Sequence, residues 1–148
     1  MGELSKLRFD ASGELEPGIY LLTANEVLAQ FGRATARREQ LGRIFTEIVT
    51  RLRTAGVVRR CWVGGSFASL KPVPGDIDLW LLVSDNSEIV TMSWQFADIF
   101  EHERAKVVYG ADIFWMTESG ATAMLDKVLD CLQTTRDGRT RGILEIEL

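Results

Sequence analysis

Leu41, Ile44, Phe45, Ile48, Val49 and Leu52 recur at i, i+3, i+4, i+7, i+8 and i+11, which places six apolar side chains on one helical face. Gly56 supplies the C-terminal stop of that helix. Arg37, Arg38, Arg43, Arg51 and Arg53 fall largely off the stripe. A second stripe, Ala121, Met124, Leu125, Val128, Leu129 and Leu132, predicts another helix near the C-terminus. Thr23 followed by Glu26 forms a capping box, so a short helix is expected over Ala24 to Phe31, ended by Gly32. A further helix is expected from Glu88 to Phe100, packing Ile89, Met92, Phe96 and Phe100.

Shorter apolar runs predict strands at Arg60 to Val63, Asp76 to Val83 and Ala111 to Met116. Gly142 to Leu148 alternates loosely and reads as a closing strand at a sheet edge. Ile19 to Leu22 reads as a short strand or a segment laid over the core, at the end of an irregular arm covering residues 1–22. The order of elements gives a mixed sheet flanked by helices, in the α/β or α+β class, as one domain over residues 1–148. A chain of this length buries roughly 70% of its unfolded surface. No apolar run approaches the ~20 residues needed to span a bilayer. The N-terminus lacks an apolar signal core, so no membrane role and a cytoplasmic location are expected.

Charge adds a second layer. The net charge of −4 argues against general nucleic-acid binding. Yet eight arginines lie between Arg33 and Arg60, against Glu39 and Glu47. That basic segment reads either as a solvated helix face or as a surface for phosphate or an acidic partner. Cys61 and Cys131 fall in apolar elements, outside any Cys/His cluster, and are expected as buried free thiols rather than zinc ligands. Trp80, Phe114 and Trp115 read as core residues, and His102 as a surface residue near a helix end.

The candidate chemistry sits in Gly64-Gly65-Ser66 and, after nine intervening residues, Asp76-Ile77-Asp78. Glycines let the backbone approach a ligand, and Ser66 adds a hydroxyl. Lys71 is placed to neutralise a phosphate. In a strand, Asp76, Asp78, Trp80 and Leu82 share one face, while Ile77, Leu79, Leu81 and Val83 face a core. Paired carboxylates at the start of an apolar strand are costly unless paired or bound to metal. Their oxygens suit Mg²⁺ or Mn²⁺. Asp112, opening the run Ile113-Phe114-Trp115-Met116, is the best third acid if the two strands are neighbours.

Val63-Gly64-Gly65-Ser66 followed by Asp76-Ile77-Asp78-Leu79 resembles the signature of the nucleotidyltransferase superfamily, the group containing DNA polymerase beta and the minimal nucleotidyltransferases. More narrowly, Pro17-Gly18, Phe31-Gly32, Lys71-Pro72, Pro74-Gly75-Asp76 and Arg136-Asp137-Gly138 resemble a bacterial nucleotidyltransferase-like family of unknown function. The resemblance implies transfer of a nucleoside monophosphate from a nucleoside triphosphate to an acceptor on a small molecule, a protein or an RNA end. It implies catalytic and metal-binding roles for Asp76, Asp78 and Asp112, and nucleotide-binding roles for Gly64, Gly65, Ser66 and Lys71. Many minimal members carry a base soon after Gly-Ser, where this chain has Phe67-Ala68-Ser69. Larger members use an extra helical domain, so a second copy or partner protein is expected to complete the cleft. The alternative expectation is a non-catalytic nucleotide-binding or interaction module, such as a toxin–antitoxin or defence component.

Overall fold

The helix read from the 41–52 stripe runs over Ala36–Ala55 (α2). The Thr35 hydroxyl caps it by accepting from the Arg38 N–H, and Gly56 ends it in the left-handed conformation, φ 72°. Leu41, Phe45, Ile48, Val49 and Leu52 are buried, whereas Ile44 is only partly covered. Before it, α1 spans Ala24–Phe31 with both capping-box bonds formed. These observations come from a computed structural model that describes residues 2–148.

Five strands form one mixed sheet: β1 (Ile19–Thr23), β2 (Val58–Gly64), β3 (Asp78–Val83), β4 (Asp112–Thr117) and β5 (Ile143–Glu147). Their spatial order is β1-β5-β2-β3-β4. β2 runs antiparallel to β3 and β5, while β1 with β5 and β3 with β4 are parallel. The parallel β3–β4 pair needs a long crossover, and the helices between the two strands supply it. The main core lies where Val63, Leu79, Leu81 and Ile113 meet Phe45, Ile48 and Leu52 of α2. A smaller cluster of Trp62, Leu82, Ala121 and Ile143 is covered by Leu125, Leu129 and Leu132. The chain is therefore α+β, a mixed sheet flanked by helices. No helix among the described residues is long and apolar enough to cross a membrane.

Several expectations need correction. β5 is not an edge strand: it lies between β1 and β2. Its glutamates disguise this, but the Glu145 carboxylate is met by Arg60 at 2.6 Å and by the Trp62 indole N–H at 3.0 Å. The helix expected over 88–100 is broken into α3 (Glu88–Thr91), a 3-10 turn at Trp94–Phe96 and α4 (Ala97–Phe100). The Ser93 hydroxyl accepts from the Gln95 N–H and restarts the chain there. Phe96 and Phe100 are buried as expected, but Ile89 and Met92 are 89% and 81% exposed. An unexpected helix, α5 (His102–Tyr109), follows and ends at Gly110, φ 66°. The C-terminal helix is likewise split, into α6 (Glu118–Ala121) and α7 (Leu125–Leu132), with Met124 exposed between them.

Cys61 is buried but Cys131 is exposed. The N-terminal arm is less irregular than expected: Leu7 and Leu15 are buried, and Gly13 O accepts from the Leu70 N–H at 2.9 Å. Met1 lies outside the described residues.

Candidate functional site

β2 delivers the chain into the Gly-Gly-Ser turn. Gly64 closes the strand and is buried, and any side chain there would meet Leu132 and Ile143. Gly65 takes φ 73° and ψ −166°, a region essentially reserved for glycine. A methyl group on it would also collide with the Asp78 carboxylate. The residue type is therefore fixed twice, once by the backbone and once by the acid. Ser66 opens a 3-10 turn, and its hydroxyl accepts from the Gly75 N–H at 3.1 Å. This bond ties the glycine turn to the loop that leads into the acids and leaves the hydroxyl hydrogen free to donate.

Two arginines at the start of α2 hold both loops. Arg38 is 4% exposed and, among the described residues, has no carboxylate partner. Its guanidinium donates to the carbonyls of Phe31 at 3.1 Å, Phe67 at 3.0 Å and Lys71 at 2.8 Å, and also to Ser66 and Ser69. Burial lowers its pKa, but the ring of carbonyl dipoles satisfies the charge. Arg37 donates to Gly75 O at 2.8 Å and Pro74 O at 3.1 Å. Neither is part of a freely solvated face. The sequence signal for this was weak: two arginines one turn before an apolar stripe.

The acids come from the next two strands. Asp78 opens β3 and Asp112 opens β4, and the parallel register places them side by side. The Asp112 N–H donates to Ile77 O at 2.9 Å, which fixes that register. Asp76 lies two residues before β3 rather than within it. Burial first, then the neighbouring Asp112 carboxyl within hydrogen-bonding reach, pushes the Asp78 carboxyl up to about 6. Burial also opposes ionisation of Asp112, but Lys106 and then His102 outweigh it and hold the carboxyl below its ordinary value. Lys106, on α5, bonds Asp76 and lies 3.2 Å from Asp112 Oδ2. His102 Nε2 lies 3.2 Å from the other Asp112 oxygen.

Gly65, Ser66, Lys71, Asp76, Asp78 and Asp112 all line one cleft of about 660 Å³. Gly64 remains beneath it. A match to a described protein family spans residues 7–147. The chain belongs to the family of unknown function DUF6932. No curated protein and no solved structure matches the chain.

The DUF6932 cleft differs in detail from the sequence expectation. Asp78 and Asp112 are side by side in the strand register, whereas Asp76 reaches Asp112 through the Lys106 ammonium. Among the described residues, no three His, Cys, Asp or Glu side chains stand as a finished metal cage. The donor set still suits a hard cation: Asp78 and Asp112 stand side by side, while Asp76 is met by Lys106 and, at 3.9 Å, by Arg37. Lys106 and His102 were missed because α5 buries only Ala105 and has no apolar stripe to announce it. Phe114 is not core but 40% exposed, with ring centroids 5.1 Å from Trp80 and 4.7 Å from His102. Trp80 is partly buried in the smaller cluster, and Trp115 packs on the main core with its N–H on Phe100 O at 2.9 Å.

Proposed function

We propose that this protein is a nucleotidyltransferase of the superfamily its signature resembles, transferring a nucleoside monophosphate from a nucleoside triphosphate to an acceptor hydroxyl. The observation that carries this reading is the side-by-side register of Asp78 and Asp112 in the cleft that also holds Gly65, Ser66 and Lys71. Asp76, Asp78 and Asp112 are the residues that would hold Mg²⁺ or Mn²⁺. When bound, such an ion neutralises charge on the reacting phosphate and hydroxyl.

The chain's own groups do the rest. Gly65 lets the backbone approach the phosphates, Ser66 donates its free hydroxyl hydrogen, and Lys71 pairs with a phosphate charge. Asp112 accepts the proton of the acceptor hydroxyl. The new bond joins that oxygen to the α-phosphorus, the bond from the α-phosphorus to the bridging oxygen breaks, and pyrophosphate leaves. The acceptor belongs to a small molecule, a protein or an RNA end.

The test is pyrophosphate release from each of the four nucleoside triphosphates with Mg²⁺ and a panel of acceptors. Turnover by the wild type that is abolished in Asp76→Asn/Asp78→Asn supports the enzyme. One observation favours a second reading: Lys106 already pairs with both Asp76 and Asp112. Nucleotide binding without turnover across the acceptor panel would favour a sensing or interaction module instead.

A further inference from the structure

Part of the cleft lining comes from a segment that the function just proposed leaves unused. Between α7 and β5 the chain folds back on itself through an isolated bridge between Thr134 and Thr140. The Thr135 N–H donates to Arg139 O at 2.8 Å, and the Arg141 N–H to Gln133 O at 2.7 Å. Gly138 makes the reversal at φ 84°. This is a built turn, and it brings Arg136, Arg139 and Arg141 to the cleft lining.

The three arginines are held differently. Arg139 is braced by Asp137 at 2.9 Å and by the Ser12 hydroxyl at 3.1 Å. Arg141 uses its Nε on Leu132 O at 3.2 Å, and its charge is felt at Asp78, where it opposes the upward shift. Arg136 has no ion-pair or hydrogen-bond partner among the described residues, although it lines the cleft. The nearest acid in its own turn, Asp137, is already taken by Arg139 and the Thr135 hydroxyl. The cleft lining therefore mixes charges: Asp76, Asp78 and Asp112, with Glu14 and Asp137, share it with Arg136, Arg139 and Arg141. A ligand that suits this lining has a tail of phosphate oxygens, which guanidinium forks bind in pairs, and an inner phosphate that would reach the acids through a shared divalent cation.

We propose that the Thr134–Arg141 turn seats the terminal phosphates of a polyphosphate, with Arg136 and Arg141 as ligands and Arg139 as the brace. This deepens the transferase reading and rests on it for the orientation of the ligand, with the outer phosphates toward the arginines. It also accounts for the absence of a base immediately after Gly65-Ser66: the cations arrive from the far end of the chain.

The experiment titrates wild type, Arg136→Gln and Arg136→Gln/Arg139→Gln with inorganic triphosphate, ATP and adenosine in the presence of Mg²⁺. Arg136 and Arg139 are exposed, and thermal melts check that each variant is folded. We expect triphosphate and ATP to bind the wild type and adenosine not to compete. The double variant should lose about tenfold or more in affinity for both, with a shallower salt dependence. Triphosphate binding that is absent from the wild type, or unchanged in the folded double variant, overturns the seat. Pyrophosphate release separates this idea from the one it rests on. Arginine-dependent triphosphate binding without any release leaves the seat standing and removes the transferase. Release with an unchanged KM for the nucleotide in the double variant does the reverse.

Discussion

At Gly65 the backbone takes φ 73° and ψ −166°, and the Asp78 carboxylate stands where a methyl group would go. Gly65→Ala should therefore cost about 1–3 kcal/mol. An unchanged melting temperature would contradict the double constraint. Asp78 itself gives a pH signature. Its carboxyl is pushed from an ordinary 3.8 up to about 6 by burial and by Asp112. Between those values the folded state holds a proton that the unfolded state has lost, so this group makes stability fall as pH rises. The loss is complete above about 6. Asp78→Asn removes it, so the variant should gain on the wild type by on the order of 1–2 kcal/mol at neutral pH, after allowance for solvent screening. Urea unfolding of both proteins at acid and neutral pH measures the gap; a gap that does not widen with pH would count against the shared proton. Gly65, Asp78 and Asp112 were legible because small residues and acids beside apolar strands stand out in a sequence. Lys106, His102 and Arg38 were not, since a charged residue on a polar helix carries no sign of what it faces.

Two elements shape the cleft beyond the strands. The first turn of α2 collects carbonyls of both loops through Arg37 and Arg38. Arg38→Met would leave several buried acceptors without donors and should destabilise the fold by about 3 kcal/mol or more. A variant within about 1 kcal/mol of the wild type would mean that the loops hold themselves. The second element is α5, whose Lys106 bridges Asp76 and Asp112. If the acids take a divalent ion, Lys106 competes with it, so Lys106→Gln should bind Mn²⁺ severalfold more tightly. Equal or weaker binding would make the lysine a bystander or a helper. The long α2 stripe and the Thr23 capping box translated directly into helices because their signals are local. The 88–100 segment did not, because Ser93 breaks the helix by a side-chain bond that apolar spacing does not register. β5 was misplaced for a different reason: edge or centre is decided by partners distant in sequence, here Arg60 and Trp62.

Across the whole molecule, the sheet gathers segments far apart in sequence around one cleft. β3 and β4 bring the acids, β2 brings the glycine turn, and the return into β5 brings the arginines. The net charge of −4 hides this arrangement, because it averages the acids and arginines that line the same cleft. The α+β class was readable from the order of elements alone; the mixed charge of the cleft was not, since it depends on a C-terminal turn lining the same cleft as acids far earlier in the sequence. The most direct measurement is anomalous diffraction from crystals grown with Mn²⁺ and a non-hydrolysable nucleoside triphosphate. The account predicts manganese density on the Asp78 and Asp112 carboxylates, Lys106 moved off the acids, and the phosphate tail running between Gly65-Ser66 and Arg136. Lys106 still bridging Asp76 and Asp112, with no manganese there and the nucleotide elsewhere or missing, would contradict it.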